Sequence, residues 1–432
     1  MKLFPHQVDG LKQTEGHNNC ALYWDMGLGK TFGGSEKMMT YGNPVNLIIC
    51  QKSKVNDWVN HFCTHYGMGC ETFNLTIKKD FGLFMEEIQK GYPNQFNQPW
   101  VGVINYELAW RRKELLKLKD FTLMLDESSL IQNRKAKQTK FILSLHPKNV
   151  ILLSGTPTAG KYENLWTQAH LLGWDISEDL YNRQYVNWKT IESDGFFHRI
   201  VDMENPYKNV DRLKQKFRNH GAVFMKTDEV FDLPEQTFTT VTVPTSKEYR
   251  KFMKTGYVQM PDGSELIGDQ VFTKRLYSRQ LCGMYSQAKI DAFRDLLAST
   301  NDRVIVFYNF TAELVELQAA CNDLKRPYSM VNGQIKRLDE YEQCDNSVTL
   351  IQYQAGAMGL NLQKANKIIY FTLPERSELF EQSKARIHRI GQNRACFYWI
   401  MMCDNSVEED IHQTLLERKD FTDELFIEKG RK

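Results

Sequence analysis

Short apolar runs recur along this chain at the spacing of strands that alternate with helices, and that rhythm restricts the fold more than any other feature. In the first half the runs are Cys20 to Trp24, Val45 to Cys50, Trp100 to Ile104, Phe121 to Leu125 and Val150 to Leu153. In the second half they are Val304 to Tyr308, Tyr328 to Val331, Val348 to Tyr353, Lys367 to Phe371 and Phe397 to Met402. Runs this short suit strands buried on both faces, and such strands separated by helix-length stretches form a parallel sheet with crossover helices. Each half therefore reads as one α/β lobe, a mainly parallel sheet flanked by helices.

A length of 432 residues is too great for one ordinary core and suits two. The first lobe is predicted over residues 1–232, with a mainly helical insertion over 160–232, where Leu, Lys, Phe and Tyr recur at helical spacings. The second is predicted over 233–432, with a similar insertion over 245–300. The boundary falls near Asp232-Leu233-Pro234-Glu235-Gln236, where proline interrupts a helix-like pattern before Thr237 to Val243 reads as extended. Near the end, Ser406-Val407-Glu408-Glu409 has the form of a capping box, and Val407, Ile411 and Leu415 mark one face of a final helix.

Basic and acidic residues nearly cancel, leaving a formal charge of +2, so any phosphate-binding surface must come from local clusters. The nine cysteines contain no CxxC pair, which favours a reducing compartment over a disulfide framework. The first residues lack the pattern of a signal peptide, and no apolar run is long enough to span a bilayer. His61, Cys63, His65 and Cys70 invite a zinc reading, but Phe62, Tyr66 and Met68 between them suit a packed helix end better.

The chemistry concentrates in three places. Gly27-Leu28-Gly29-Lys30-Thr31 follows the strand Cys20 to Trp24 and precedes a predicted helix. Glycines let backbone N–H groups close around phosphates, a lysine reaches the terminal phosphates, and a threonine hydroxyl can ligate Mg²⁺. Trp24 stands where the GxxxxGK(S/T) pattern has its first glycine. Asp126-Glu127 ends the run Phe121 to Leu125, which places two carboxylates at the edge of a sheet where ligands bind in such folds. Asp126 is suited to holding Mg²⁺, and Glu127 to orienting and deprotonating the attacking water. In the segment Gln382 to Gln392, Gln382, Arg386 and Arg389 are spaced to share one helix face, from which two guanidiniums could reach across the cleft between lobes to a γ-phosphate.

With these elements in this order, the chain resembles the superfamily 2 helicases, specifically the Swi/Snf branch of double-stranded DNA translocases, over nearly its whole length. The resemblance implies two RecA-like lobes, ATP and Mg²⁺ as cofactors, and Gln7 in Phe4-Pro5-His6-Gln7 as the glutamine that reads adenine. Asp25-Met26-Gly27-Leu28-Gly29-Lys30-Thr31 is similar to motif I, and Asp126-Glu127-Ser128-Ser129 stands where motif II would be. Leu47-Ile48-Ile49-Cys50-Gln51-Lys52-Ser53, followed by Trp58, looks like motif Ia; Asn105-Tyr106-Glu107 looks like the next strand-contacting motif. Ser154-Gly155-Thr156-Pro157 resembles motif III, which links hydrolysis to lobe movement in the family. Gly356 with Gly359-Leu360-Asn361-Leu362 resembles motif V, and the Arg-Ile-His-Arg-Ile-Gly-Gln core of Gln382 to Gln392 is the most branch-specific signature. The chain departs from the family pattern at Ser129, in place of a histidine, at Gln51, in place of a proline, at Gln352-Tyr353, and at Thr372-Leu373-Pro374-Glu375 before motif VI. These departures bear on coupling to DNA more than on hydrolysis.

The resemblance implies DNA contacts by Lys52, Ser53, Tyr106, Thr156 and Asn361, and coupling through Ser154, Gly155 and Gly359. Arg111-Arg112-Lys113 with Lys117 and Lys119, and Arg134-Lys135 with Lys137, are basic runs close behind two of the motifs, readable as a solvated face or a DNA edge. The expected activity is that of an ATP-dependent DNA translocase on double-stranded or forked DNA: a bare, monomeric motor of the compact bacteriophage or bacterial kind, cytoplasmic if that likeness holds. Alternatives are a branch-migrating or strand-separating helicase, a nucleotide-gated DNA-binding switch with weak hydrolysis, and a P-loop kinase or transporter ATPase. The last is disfavoured by the arginine segment and by Ser154 to Pro157.

Overall fold

The computed structural model describes residues 3–91, 98–193, 196–261, 263–356 and 360–426. It divides into two compact units, one of residues 1–230 with 420–432 and one of residues 231–419.

The first unit contains β1 (Asn19–Trp24), β2 (Val45–Cys50), β3 (Glu71–Asn74), β4 (Trp100–Asn105), β5 (Phe121–Asp126), β6 (Asn149–Leu153), β7 (Trp188–Ser193), β8 (Phe196–Val201) and β9 (Ala222–Met225). Seven of these form one sheet in the order β3-β4-β2-β5-β6-β1-β9. Every pairing in it is parallel, with Leu22 opposite Leu153 and Leu153 opposite Asp126. The carboxyl ends of β5, β6 and β1 therefore lie side by side on one edge. Helices cover the sheet, so its central strands are buried along their length: β2, β4 and β6 throughout, and Cys20 to Trp24 with no exposure at all.

The second unit contains β10 (Gln236–Val243), β11 (Tyr257–Gln259), β12 (Glu265–Ile267), β13 (Val304–Tyr308), β14 (Tyr328–Val331), β15 (Lys336–Arg337), β16 (Val348–Gln352), β17 (Lys367–Tyr370) and β18 (Cys396–Cys403). Its sheet runs β10-β18-β17-β13-β16-β14-β15 and is parallel except for the two-residue edge strand β15. Each unit thus has the mainly parallel α/β architecture expected of a RecA-like lobe. No described helix is long and apolar enough to cross a membrane.

The reading of 160–232 as mainly helical requires correction, because the stretch carries the antiparallel hairpin β7–β8 and the sheet strand β9. The stretch 245–300 holds the helices Lys247–Thr255, Val271–Cys282 and Gln287–Ala298, with the short hairpin β11–β12 between the first two. The residues of β8 from Phe196 to Ile200 are exposed, so β7–β8 has no buried face to impress an apolar run on the sequence. The signal it did leave is Asp194-Gly195, a dipeptide suited to a two-residue hairpin turn, which lies outside the described residues.

Candidate active site

The loop after β1 is shaped by two glycines in the left-handed region, Gly27 at φ 92° and Gly29 at φ 75°. A side chain at Gly29 is doubly excluded, because its Cβ would lie 2.2 Å from Nε2 of Gln7. Gln7, on the helix Pro5–Lys12, is buried, donates to the Leu28 carbonyl at 3.1 Å and accepts the Phe4 N–H at 2.9 Å. Trp24 is buried in turn, its ring lying where a Cβ on Gly10 or Gly33 would clash, at 2.5 and 2.7 Å. Glycines on two flanking helices thus make room for the indole that occupies the usual glycine position of the loop. Asp25 accepts the Thr227 N–H at 3.1 Å, which ties the loop to the segment after β9.

Lys30 and Thr31 open the helix Lys30–Tyr41. Lys30 Nζ donates to the Trp24 carbonyl at 2.7 Å and the Asp25 carbonyl at 3.1 Å. Burial holds its pKa below the ordinary lysine value, against the pull of Glu127, Asp25 and Asp126. The turn after β6 lies against the same ammonium: a Cβ on Gly155 would be 3.3 Å from Nζ.

Burial raises the Asp126 carboxyl above the usual carboxylate range, and the largest opposing influence is a hydrogen bond that Trp58 Nε1 donates to Oδ2 at 2.8 Å. In the sequence Trp58 marks only the end of motif Ia; its indole placement behind a carboxylate has no local sequence signal. Glu127 adopts φ 55°, a left-handed conformation that costs a non-glycine residue about 1 kcal/mol or more. Tyr106 OH fixes this turn by donating to the Asp126 carbonyl at 3.0 Å and, more weakly, to that of Glu127 at 3.4 Å.

Two of the expected DNA contacts have buried side chains. Tyr106 is 1% exposed and spends its hydroxyl on the Asp126-Glu127 backbone, so it supports the carboxylates instead of facing solvent. Thr156 is also buried, with its N–H donated to Ser154 Oγ at 3.1 Å. Lys52 and Ser53 are exposed in the short helical turn Lys52–Lys54 at the carboxyl end of β2. The two basic runs come together: Arg111 and Lys137 both lie 5.2 Å from the centre of the Trp110 ring, while Arg134 pairs with Glu178.

The cluster around His61 serves packing. His61 and His65 lie 5.0 Å apart between ring centres and both meet Phe32 edge-on, and His61 Nε2 shares a hydrogen bond of 2.9 Å with Ser35 Oγ. Burial, and His65 beside it, pull the His61 pKa down to about 4. Among the described residues the group with metal-ligand spacing is Cys282, Cys403 and Glu408 in the second unit. There Lys289 donates to both Glu408 oxygens at 2.6 Å, so an ammonium already neutralises the carboxylate.

In the second unit the expected shared helix face for Gln382, Arg386 and Arg389 is also corrected. The helix is Ser377–Lys384, which holds Gln382 and ends before either arginine. Tertiary hydrogen bonds override the helical spacing: His388 Nε2 meets the Pro234 carbonyl at 2.9 Å, and the Arg386 carbonyl accepts from Leu362 N at 3.1 Å. Gln392 Nε2 donates to the Ala365 carbonyl at 2.8 Å, and Gly391 takes φ 94°. Arg386 and Arg389 are thereby held on a turn rather than a helix. Arg389 donates to the side chain of exposed Asn361, and burial lowers its pKa. Gly359 lies outside the described residues.

A model of the SNF2-related domain matches residues 10–324, and one of the helicase conserved C-terminal domain matches residues 288–391. Similar proteins include the ISWI chromatin-remodeling complex ATPase ISW1 of Saccharomyces cerevisiae, 24% identical over 100% of this chain and 41% of its own. The putative ATP-dependent helicase/translocase YwqA of Bacillus subtilis is 23% identical over 98% of this chain and 48% of its own. The chain spans less than half the length of either. Among solved structures, the SWI2/SNF2 ATPase core of Sulfolobus solfataricus in complex with double-stranded DNA is 17% identical, with a TM-score of 0.44 over 98% of this chain and 92% of that one.

Proposed function

The chain belongs to the SNF2-related family, and from that premise we propose that it is an ATP-dependent DNA translocase, a DNA-stimulated ATPase that moves along double-stranded or forked DNA. The observation that carries this reading is the convergence at one sheet edge of the Gly29 cradle and the Lys30 ammonium, after β1, and the Asp126-Glu127 carboxylates, at the end of β5, with the Gly155 turn of the intervening β6 against Lys30. Backbone N–H groups around Gly27 and Gly29 and the Lys30 ammonium take the phosphates. Gln7 reads the adenine edge from beside the loop it braces. The donor set fits Mg²⁺, since Thr31 and Asp126 offer hard oxygen ligands at the end of β5 and the start of the phosphate helix. When bound there, Mg²⁺ supplies neutralisation of phosphate charge. Glu127 orients the attacking water and takes its proton, and the family resemblance of the segment Gln382 to Gln392 supports Arg386 and Arg389 as the residues that stabilise charge on the transferring phosphoryl group.

A motor indifferent to sequence grips the sugar-phosphate backbone. Lys52 and Ser53 in the first unit and Asn361 in the second suit that role by their exposure, and exposed Arg111 and Lys137, from the two basic runs, add positive charge to the first unit. The test is phosphate release without DNA and with single-stranded, duplex and forked DNA, for the wild type, Lys30→Ala and Arg389→Ala. Duplex or forked DNA is expected to stimulate the wild type, and both substitutions to abolish turnover. Equal rates with and without DNA would rule out a motor. A strand-displacement assay on the fork then separates translocation from unwinding.

A further inference from the structure

Gln168 is fully buried in the short helix Trp166–Leu171 and uses both ends of its amide. Its Oε1 accepts from Tyr23 OH at 2.9 Å and from Ser128 Oγ at 2.8 Å, and its Nε2 donates to the Pro157 carbonyl at 2.8 Å. Each partner belongs to a different edge of the active site. Tyr23 is the penultimate residue of β1, ahead of the phosphate loop. Ser128 follows Glu127, the strained residue of the carboxylate turn. Pro157 closes the turn whose Gly155 lies against Lys30 Nζ.

We propose that Gln168 is a positioning residue for ATP hydrolysis, holding the ends of β1, β5 and β6 in one register so that the Lys30 side and the Glu127 side of the site move together. The inference rests on the ATPase reading above and adds to it a residue outside every motif that marks the family in this sequence. The chemistry demands an amide. A buried polar group is tolerated only when its hydrogen bonds are made, and this position needs an acceptor for two hydroxyls together with a donor to a carbonyl. Leucine or methionine would fill the volume and make none of these bonds; glutamate would keep the acceptor and lose the donor. With Tyr106 OH on the Asp126 carbonyl and Gln168 on Ser128, the Glu127 turn is clamped on both sides. Through Pro157, a shift of the turn beside Lys30 is transmitted to that clamp.

A hydrogen-bond path is not by itself evidence of coupling, so the test is a double-mutant cycle. Gln168→Met, Ser128→Ala and the double variant are compared with the wild type for kcat and for nucleotide affinity, the latter with a fluorescent ATP analogue, in the presence of duplex DNA. Positioning predicts that kcat falls about tenfold or more in each single variant while nucleotide affinity changes by less than about threefold. The double variant is expected to be no slower than the slower single, because both remove the same link. In Gln168→Glu, the carboxylic acid form regains the donor to Pro157, so turnover is expected to recover towards lower pH, where the wild type gains nothing; a purely structural role gives no such profile. Single-variant kcat values within about twofold of the wild type, or losses that simply add, would overturn the proposal. Ser128→Ala removes one hydroxyl without changing the packing of the helix, so it decides the matter even if Gln168→Met does not fold. A wild type without turnover would sink the ATPase reading itself, whereas an active wild type with unaffected variants would sink only the role of Gln168.

Discussion

Replacing Trp58 by phenylalanine removes one hydrogen-bond donor from Asp126 while leaving an aromatic ring to pack beside Phe62 and His61. The indole is 2% exposed and its bond to Oδ2 is 2.8 Å, so the substitution leaves a buried carboxylate short of one donor. A hydrogen bond to a charged acceptor contributes about 1.5–3 kcal/mol. At about 1.4 kcal/mol per tenfold, that is a factor of roughly 10 to 150 in an equilibrium that depends on the ionised carboxylate. Burial already pushes the Asp126 carboxyl upward, and Trp58 is the largest influence holding it down. Removing the donor therefore weakens the ionised form that the Mg²⁺ assignment requires. The assay is DNA-stimulated phosphate release as a function of free Mg²⁺ at constant ATP. The half-saturating Mg²⁺ concentration is expected to rise about tenfold or more, with much of the turnover regained at saturation. The smaller ring also costs packing, on the order of 1 kcal/mol, which lowers the melting temperature without moving the Mg²⁺ response. A folded variant whose Mg²⁺ curve overlays that of the wild type would refute the reasoning.

Two further outcomes follow from the same site. Because the folded-state pKa of Asp126 is raised above its unfolded value, its ionisation disfavours folding at neutral pH, and that penalty disappears as pH falls below the unfolded value. Asp126→Asn, which still offers an acceptor to Trp58, should melt higher than the wild type at neutral pH without Mg²⁺, with the gap closing in acid, and should not turn over ATP. Differential scanning fluorimetry across pH checks this, and a lower melting temperature at neutral pH would contradict it. Gly29→Ala places a Cβ 2.2 Å from Gln7 Nε2 at a backbone φ of 75°. It is expected to destabilise the fold by about 1 kcal/mol or more and to weaken discrimination of ATP from other nucleoside triphosphates, measured by competition binding.

The parts of the fold visible in the sequence were those written in local chemistry. The phosphate loop, the acidic pair and the buried strands each depend on contiguous residues, and each appears where its spacing placed it: the loop after β1, the carboxylates at the end of β5. What escaped the reading depends on residues far apart in sequence. Helical spacing put Arg386 and Arg389 on the helix of Gln382, yet hydrogen bonds from Leu362 to the Arg386 carbonyl and from His388 to Pro234 end that helix at Lys384. Tyr106 carried a motif position that suggested DNA, while its contact 20 residues away turned it inward. Gln168 had no signal at all, since a glutamine between Thr167 and Ala169 in a short helix carries no mark of burial until its partners, 11 to 145 positions away, are known. The hairpin β7–β8 was missed for the opposite reason: its exposed strands left only a turn dipeptide to find.

Trp24 has a consequence for how readily the phosphate loop can receive a ligand. The general phosphate-loop pattern begins with a glycine, which has no side chain to anchor the loop's start in the core. In this chain a large buried ring precedes the loop, seated against Gly10 and Gly33 of the flanking helices, and Gln7 fastens the loop through Leu28. The loop's curvature is thus set during folding by the core, so little conformational freedom remains to be surrendered when a nucleotide arrives. A receptor built in that way trades adaptability for readiness.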